Sequence, residues 1–382
     1  MSNWSHHNPV QIHFGRGCRV GVIPFLTDQK CLIVTSAGGR ERLKNDPLLH
    51  IAVAQINDPM WVSTIQPNPD LGALQAYIDK FAPRNVESVV AFGGGSAIDS
   101  AKVFALALAP KNRDKTLEFL LTETPELPEG SSLPLYVIPT TAGTGSEVTP
   151  FATVWDHSNA RKKSFFGPTI FPNRAWIDPE LTDELPHRLT ATTGLDAINQ
   201  AGESIWNRRM TPISEALAQR SLVLGLTALP RIVVEPRDTA SRDAMAEASL
   251  LAGLAISLTR TSLCHSISYP ITARFQVPHG FACAFTMPAV LRFCAENDDG
   301  RLQRLADAVV PNESTLERLI EKFEMLNREL GVGKLVRSMV KKIDYLYEFK
   351  SEMLTPGRSD NLLMELGDEK MDLILKRSWL QI

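Results

Sequence analysis

The strongest constraint on the fold is a change of period near Thr190. Before it, short β-branched runs alternate with helical stretches. CLIVT at 31–35 reads as a buried strand closed by the turn Ser36-Ala37-Gly38-Gly39. VSTIQ at 62–66 is a second strand, ended by Pro67-Asn68-Pro69, with Asp70 placed to cap the apolar-periodic LGALQAYIDKFA. SVVAF at 88–92 and LPLYVI at 133–138 complete the set. Strands separated by helices require crossover connections, hence a parallel sheet covered on both faces. From Thr190 onward, the stretches 196–207, 211–230, 240–259, 301–309 and 314–330 carry apolar residues at three-to-four spacing with few strand signals. The Pro-rich segment Pro168 to Pro186 lies between the regimes and reads as a linker. The expectation is an α/β domain over 1–185 and an all-α domain over 186–382.

A chain of 382 residues exceeds a single core and suits two domains. With 40 basic against 43 acidic side chains, the formal net charge of −3 gives no footprint for nucleic acid or an anionic membrane. The start, MSNWSHHNPVQIHFG, lacks a charged-then-apolar leader, and no run approaches 18 apolar residues. A cytoplasmic location without membrane or nucleic-acid partners is expected. The five cysteines lack CxxC or CxxH spacing, which argues against a disulfide framework and a thiolate zinc site. Cys31 and Cys283 read as small buried hydrophobes, and Cys264 is expected to face away from its neighbour His265.

Three segments carry chemistry. SVVAF runs into Gly93-Gly94-Gly95-Ser96 and then the helical AIDSAKVFALALA. Glycines at a strand-to-helix turn let backbone amides approach a phosphate where the helix dipole favours negative charge. The pattern is neither GxGxxG nor GxxxxGK, and a tight turn using glycine for positive φ is the plain alternative. The second segment, Pro139 to Thr149, places hydroxyls and glycines at the carboxyl end of a strand, where ligands sit in open α/β sheets. The third is Asp196, Gln200, His265 and His279. Asp196 and Gln200 share a helix face, and together the four donors suit Fe²⁺ or Zn²⁺. Spacing alone does not bring them together.

Taken in order, the motifs resemble the iron-containing (group III) alcohol dehydrogenase family over nearly the whole chain. They are IHFGRG (12–17), FGGGSAIDSAK (92–102), IPTTAGTGSEVT (138–149), IDPELT (177–182), TGLDAINQ (193–200), HSISYPITARFQVPHG (265–280) and GRSDN (357–361). SEVTPFATVWD, ESIWN and TRTSLCHSISYPIT resemble the phosphonoacetaldehyde reductase branch. The resemblance implies a Rossmann-like N-terminal parallel-sheet domain and a helical C-terminal domain. This is the dehydroquinate synthase-like fold of iron-type alcohol dehydrogenases, with metal and nicotinamide in the cleft between domains and a homodimer or larger assembly. It places the metal on Asp196, Gln200, His265 and His279, with Gln200 standing where the family usually has His. Tyr269 stands where many members carry His near the reacting carbon. Gly94, Gly95, Ser96 and Asp99 match the pyrophosphate loop. Thr140, Thr141, Thr144 and Ser146 match the nicotinamide surroundings, and Lys162, or alternatively Lys163, a lysine beside it. Ser36 replaces the aspartate of NAD-preferring members, and Arg40 is placed to pair with a 2′-phosphate, so the cofactor is NAD(P)H.

The expected reaction is metal-assisted reduction of a small aldehyde, most specifically phosphonoacetaldehyde to 2-hydroxyethylphosphonate. Asp196, His265, His279 and Tyr269 lie at the reacting centre, and Arg260 faces the phosphonate. Arg274 and the Arg161–Lys163 group are the other cations considered. A general alcohol dehydrogenase acting on uncharged substrates, a sugar-phosphate cyclase and an idle nucleotide-binding protein are the alternatives. Multi-turnover NADPH consumption excludes the cyclase.

Overall fold

The computed structural model describes residues 3–123, 126–128, 130–156 and 161–381. It divides into two compact units, one of residues 7–141 and 145–182, the other of residues 1–6, 142–144 and 183–382.

Among the described residues the first unit has eight strands: β1 (Gln11–Phe14), β2 (Cys31–Val34), β3 (Met60–Val62), β4 (Ser88–Gly93), β5 (Leu135–Pro139), β6 (Phe151–Asp156), β7 (Arg161–Phe166) and β8 (Arg174–Ile177). Its helices are α1 (Ile23–Thr27), α2 (Ala37–Lys44), α3 (His50–Gln55), α4 (Leu71–Phe81), α5 (Gly95–Ala107) and α6 (Leu117–Glu123). Six strands form a parallel sheet in the order β1-β8-β5-β4-β2-β3, and β6 and β7 form an antiparallel hairpin. Successive residues of the central strands enter opposite cores. Leu32, Val34, Val89, Ala91 and Val137 join one cluster, while Ile33, Val90, Phe92, Tyr136 and Ile138 join the other. Asp70 caps α4 by accepting from the Ala73 amide at 2.9 Å.

The segment expected to link the domains instead contributes β8, which pairs with both β1 and β5. A proline-rich stretch can still supply one short strand when its prolines fall outside the paired residues, as they do around Arg174–Ile177.

The second unit is helical: α7 (His187–Ile205), α8 (Pro212–Val234), α9 (Thr239–Thr259), α10 (Leu263–Phe275), α11 (His279–Ala295), α12 (Arg301–Val309), α13 (Leu316–Glu329), α14 (Val332–Val340), α15 (Asp344–Glu348) and α16 (Asp368–Leu380). Its core joins Leu195, Ile198, Leu222, Leu226, Ala252, Ile267, Phe285 and Phe323. Among the described residues α8 is the one helix long and apolar enough to cross a membrane, and the bent pair α9–α10 passes the same test if read as one broken span. Leu222, Leu226, Leu229 and Ile232 of α8 lie in the helical core, and its Arg220 pairs with Glu247 on α9 at 3.2 Å.

Candidate active site

The sheet order reverses between β2 and β4: β3 lies beyond β2 on one side, and β5 and β8 lie beyond β4 on the other. In open α/β sheets the crevice at the carboxyl ends of such a strand pair is the binding position. Ser36 follows β2 there, Gly93 ends β4 with Gly94 and Gly95 after it, and Thr140 and Thr141 follow β5. Gly94 is the N-cap of α5 in extended conformation, with φ −79°, so these glycines do not serve a left-handed turn. They serve clearance. A Cβ on Gly94 would lie 3.1 Å from the Thr141 hydroxyl, and one on Gly93 would lie 2.7 Å from the Ala97 Cβ. The first amides of α5, which no helical carbonyl can satisfy, are left facing the crevice, with Ser96 in that turn.

Other expected cofactor residues are engaged locally. Ser36 caps α2 through the Gly39 amide at 3.1 Å, and the Arg40 guanidinium stacks over Trp61 at 5.1 Å. Asp99 accepts from the Ser146 hydroxyl at 2.5 Å and the Thr153 amide at 2.8 Å. Lys102, fully buried one helical turn on, donates to the Thr149 and Phe151 carbonyls at 2.8 and 2.6 Å. Asp99 and Lys102 thereby lash the post-β5 loop and the hairpin to α5. Burial pushes Asp99 up, against the pull of Lys102, Ser146 and Lys162. Burial likewise lifts Glu147 to about 7 and drops Lys102 to about 8. Lys163 instead pairs with Asp156 and Glu118 at 3.4 and 3.6 Å. Thr144 falls in the helical unit, where its carbonyl accepts from Gln200 at 3.3 Å.

The helical unit brings the dispersed donors together. Ligand atoms of Asp196, His265, His279 and Cys283 all lie within 4.8 Å of one another. Asp196 comes from α7, His265 from α10, and His279 and Cys283 from α11. Gly280 allows this approach: a Cβ there would stand 1.9 Å from the Thr192 carbonyl and 3.0 Å from the Asp196 amide, so only glycine lets α11 start flush against α7. His265 Nε2 faces Asp196 Oδ1 at 3.2 Å, and His279 Nε2 lies 3.9 Å from the same oxygen.

Glu203, with no exposed surface, fixes this geometry from behind. Its carboxylate accepts from the amides of Ser262 (2.9 Å), Cys264 (2.5 Å) and His265 (3.3 Å), which are the orphan donors at the start of α10, and from His265 Nδ1 at 2.6 Å. With Nδ1–H spent on Glu203, Nε2 is the nitrogen turned toward Asp196. A carboxylate–imidazole pair with this outward nitrogen is the arrangement that orients a metal-ligating histidine. On His279, Nδ1 lies 3.3 Å from the Ser268 hydroxyl, whose own proton goes to the His265 carbonyl at 2.7 Å, so Nε2 is again the outward nitrogen. The Gln200 Oε1 is buried without a hydrogen-bond partner among the described residues. An orphan oxygen beside an Asp and two outward imidazole nitrogens fits a divalent cation.

Burial works against charge on His265, but Cys283, Glu203 and Asp196 outweigh it and raise its pKa well above the ordinary value. Burial would raise Asp196, yet His265 and His279 hold it below the usual range. Burial would also raise Cys283, but the two imidazoles bring it down to about 7. Cys283 is buried as expected, but beside polar donors rather than among hydrophobes. Its sulfur stands 3.8 Å from His279 Nε2. Cys264 does face away, toward the Met287 sulfur at 4.0 Å.

Tyr269 stacks on the His279 ring at 6.0 Å between centroids, and the Arg358 guanidinium carbon lies 5.7 Å from the Tyr269 ring centre. Arg358 also donates to the Thr261 hydroxyl. Arg260 is half-buried at the break between α9 and α10, with φ at 61°. Burial, then the charges of Arg209 and Arg358, lower its pKa, with Asp360 opposing them. Arg274 instead pairs with Glu352 at 2.5 Å and lies over Phe349. Glu203, Cys283 and Arg358 are the site residues that sequence reasoning missed. Two had a readable signal: Glu203 shares a helix face with Asp196 and Gln200, and Cys283 lies one turn after His279.

The description "Iron-containing alcohol dehydrogenase" matches residues 9–179, and "Fe-containing alcohol dehydrogenase family, C-terminal" matches residues 190–345. The phosphonoacetaldehyde reductase of Streptomyces viridochromogenes is 38% identical over 232 residues, 58% of this chain and 58% of that protein. The chain thus aligns with less than two thirds of that relative's length. An NAD-dependent methanol dehydrogenase of Bacillus methanolicus is 32% identical over 273 residues, 70% of each chain. Among solved structures, a sulfoacetaldehyde reductase from Bifidobacterium kashiwanohense in complex with NAD⁺ superposes with a TM-score of 0.88 at 27% identity, covering 100% of both chains.

Proposed function

The chain belongs to the iron-containing alcohol dehydrogenase family, whose members bind NAD(P) and a divalent metal, and from that premise we propose that it reduces phosphonoacetaldehyde to 2-hydroxyethylphosphonate. The observation that carries the anionic substrate is the cationic group of the helical unit. Arg260 lies within electrostatic reach of Arg358 and Arg209, with Asp360 as an opposing charge, and Arg358 lies over the ring that stacks on His279. Guanidinium groups present paired donors to a phosphonate and to a sulfonate alike. The likeness to a phosphonoacetaldehyde reductase, and to a sulfoacetaldehyde reductase of Bilophila wadsworthia at 32% identity over 269 residues, supports a short anionic aldehyde.

Asp196, His265 and His279 would hold the divalent ion, and Gln200 offers a further oxygen. Such an ion supplies Lewis-acid polarisation of the carbonyl and stabilises the developing alkoxide. NAD(P)H supplies the hydride. The chain's own residues prepare the reaction. Glu203 and Ser268 hold the imidazoles with Nε2 outward, and Gly280 seats His279 beside Asp196. Tyr269 stacks beside His279 and is the candidate donor of the proton that completes the alcohol. Gly94, Gly95 and Ser96 would receive the pyrophosphate at the start of α5. Thr140 and Thr141 would face the nicotinamide ribose. Ser36 introduces no negative charge to repel a 2′-phosphate, and Arg40 Nε is buried without a partner among the described residues, so NADPH is accepted.

The test is a KM-against-kcat comparison of Arg260→Ala and Arg358→Ala on phosphonoacetaldehyde and on propanal. Each hydrogen bond to a charged group contributes about 1.5–3 kcal/mol, so the phosphonate should lose roughly 10–100-fold in kcat/KM per arginine while propanal changes little. Equal losses on both substrates would overturn the assignment of these arginines to the anion and favour a general aldehyde reductase.

A further inference from the structure

We infer that Cys283 is a metal ligand in this chain, completing an Asp196–His265–His279–Cys283 donor set, and that Gln200 positions Asp196 rather than serving as the main fourth donor. The inference rests on the metal-site reading above and goes beyond the family's donor set, which has a histidine where this chain has Gln200. Three observations carry it. First, Cys283 lies four residues after His279 on α11, so the two side chains share a face. Its sulfur stands 3.8 and 3.9 Å from the two His279 ring nitrogens. Second, all four donor atoms fall within 4.8 Å of one another. Bonds of about 2.0 Å to nitrogen and oxygen and about 2.3 Å to sulfur place tetrahedral donors roughly 3.3–3.6 Å apart, so the observed 3.2, 3.8 and 3.9 Å separations need only small adjustments. Third, the Gln200 amide nitrogen donates to the Thr144 carbonyl and toward the Asp196 carboxylate, a contact that orients Asp196 and leaves Oε1 as a supplementary oxygen beside the four-donor set.

A metal–sulfur bond forms, the thiol S–H bond breaks heterolytically, and the proton leaves to solvent with no change of oxidation state. Exchanging an imidazole for a thiolate softens the site, and a mixed sulfur, nitrogen and oxygen tetrahedron suits zinc better than iron. The inference therefore assigns zinc, not iron, as the preferred ion of this chain.

The experiment loads the full-length protein with Co²⁺ and records its absorption alongside direct measurement of bound cobalt. Wild type should bind one cobalt and show an intense near-ultraviolet sulfur-to-cobalt charge-transfer band. Cys283→Ser should lose the band, whereas Gln200→Ala should keep it. Cadmium-113 resonance of the loaded wild type, displaced toward the thiolate range, provides the same readout without a variant should Cys283→Ser fail to fold. One bound cobalt without the band, or a band that survives in folded Cys283→Ser, overturns the inference while leaving the metal site standing. Failure of wild type to retain cobalt or zinc at all overturns the metal-site reading beneath it.

Discussion

Replacing Glu203 by glutamine tests the second layer of the site most sharply. The carboxylate answers four donors: Oε2 accepts from the Ser262 amide and His265 Nδ1, and Oε1 accepts from the Cys264 and His265 amides. Glutamine keeps one oxygen. If its NH₂ replaces Oε1, two backbone N–H groups lose their acceptor at complete burial. At about 1.5–3 kcal/mol for each hydrogen bond to a charged group, that costs roughly 3–6 kcal/mol of stability. If it replaces Oε2, the NH₂ donates to His265 Nδ1 and drives the ring proton onto Nε2, toward Asp196. The outward lone pair is then lost. Either orientation should lower metal affinity by about 10–100-fold, the usual cost of removing a partner behind a ligating histidine. Urea unfolding reads the first cost, and chelator competition reads the second. Retention of wild-type stability together with metal affinity within about twofold of wild type would refute the role assigned to Glu203.

Two further expectations follow from other parts of the chain. Gly280→Ala forces a Cβ toward the Thr192 carbonyl, so α11 must shift, and His279 with it. A stability loss of about 1–3 kcal/mol should accompany a measurable fall in zinc affinity by competition titration, and unchanged affinity would contradict the seating argument. Glu147, lifted by burial from 4.5 to about 7, binds more protons folded than unfolded in that interval. Its contribution is fully present below pH 4.5 and is lost as pH rises through 7, a decline of up to about 3 kcal/mol at roughly 1.4 kcal/mol per pH unit. Denaturation midpoints across pH 4.5–8 should show this slope in wild type and not in Glu147→Gln.

The sequence was most readable where local chemistry and long-range structure agree. The runs at 31–35, 88–92 and 133–138 are continuous apolar strands because a parallel sheet buries both faces, and Asp70 caps α4 as its position implies. Four strands went unread, the β6–β7 hairpin and two strands of the main sheet. β1 is half-exposed at the edge of the sheet, and β8 is four residues set among prolines, so neither offers enough periodicity to stand out. VSTIQ was placed late, since β3 covers Met60–Val62 and ends where that run begins. In the site, Asp196, His265 and His279 meet as the motifs implied. The residues that support them carried at most a helix-face signal, and their partners in space were not legible for a physical reason. Glu203 acts on amides roughly 60 residues away in the chain, and Arg358 reaches Tyr269 across an even longer separation, so no local pattern reveals what either one touches. Cys283 was masked by its burial, which a structural cysteine shares with a ligand.

The most direct measurement is NADPH and NADH oxidation by metal-assayed protein, with phosphonoacetaldehyde and propanal as competing tests of the same site. Two guanidinium groups at about 1.5–3 kcal/mol each predict a kcat/KM preference for the phosphonate on the order of 10²–10⁴-fold, with many turnovers per enzyme. Equal kcat/KM on the two aldehydes, or no turnover of either by fully metal-loaded protein, would contradict the account.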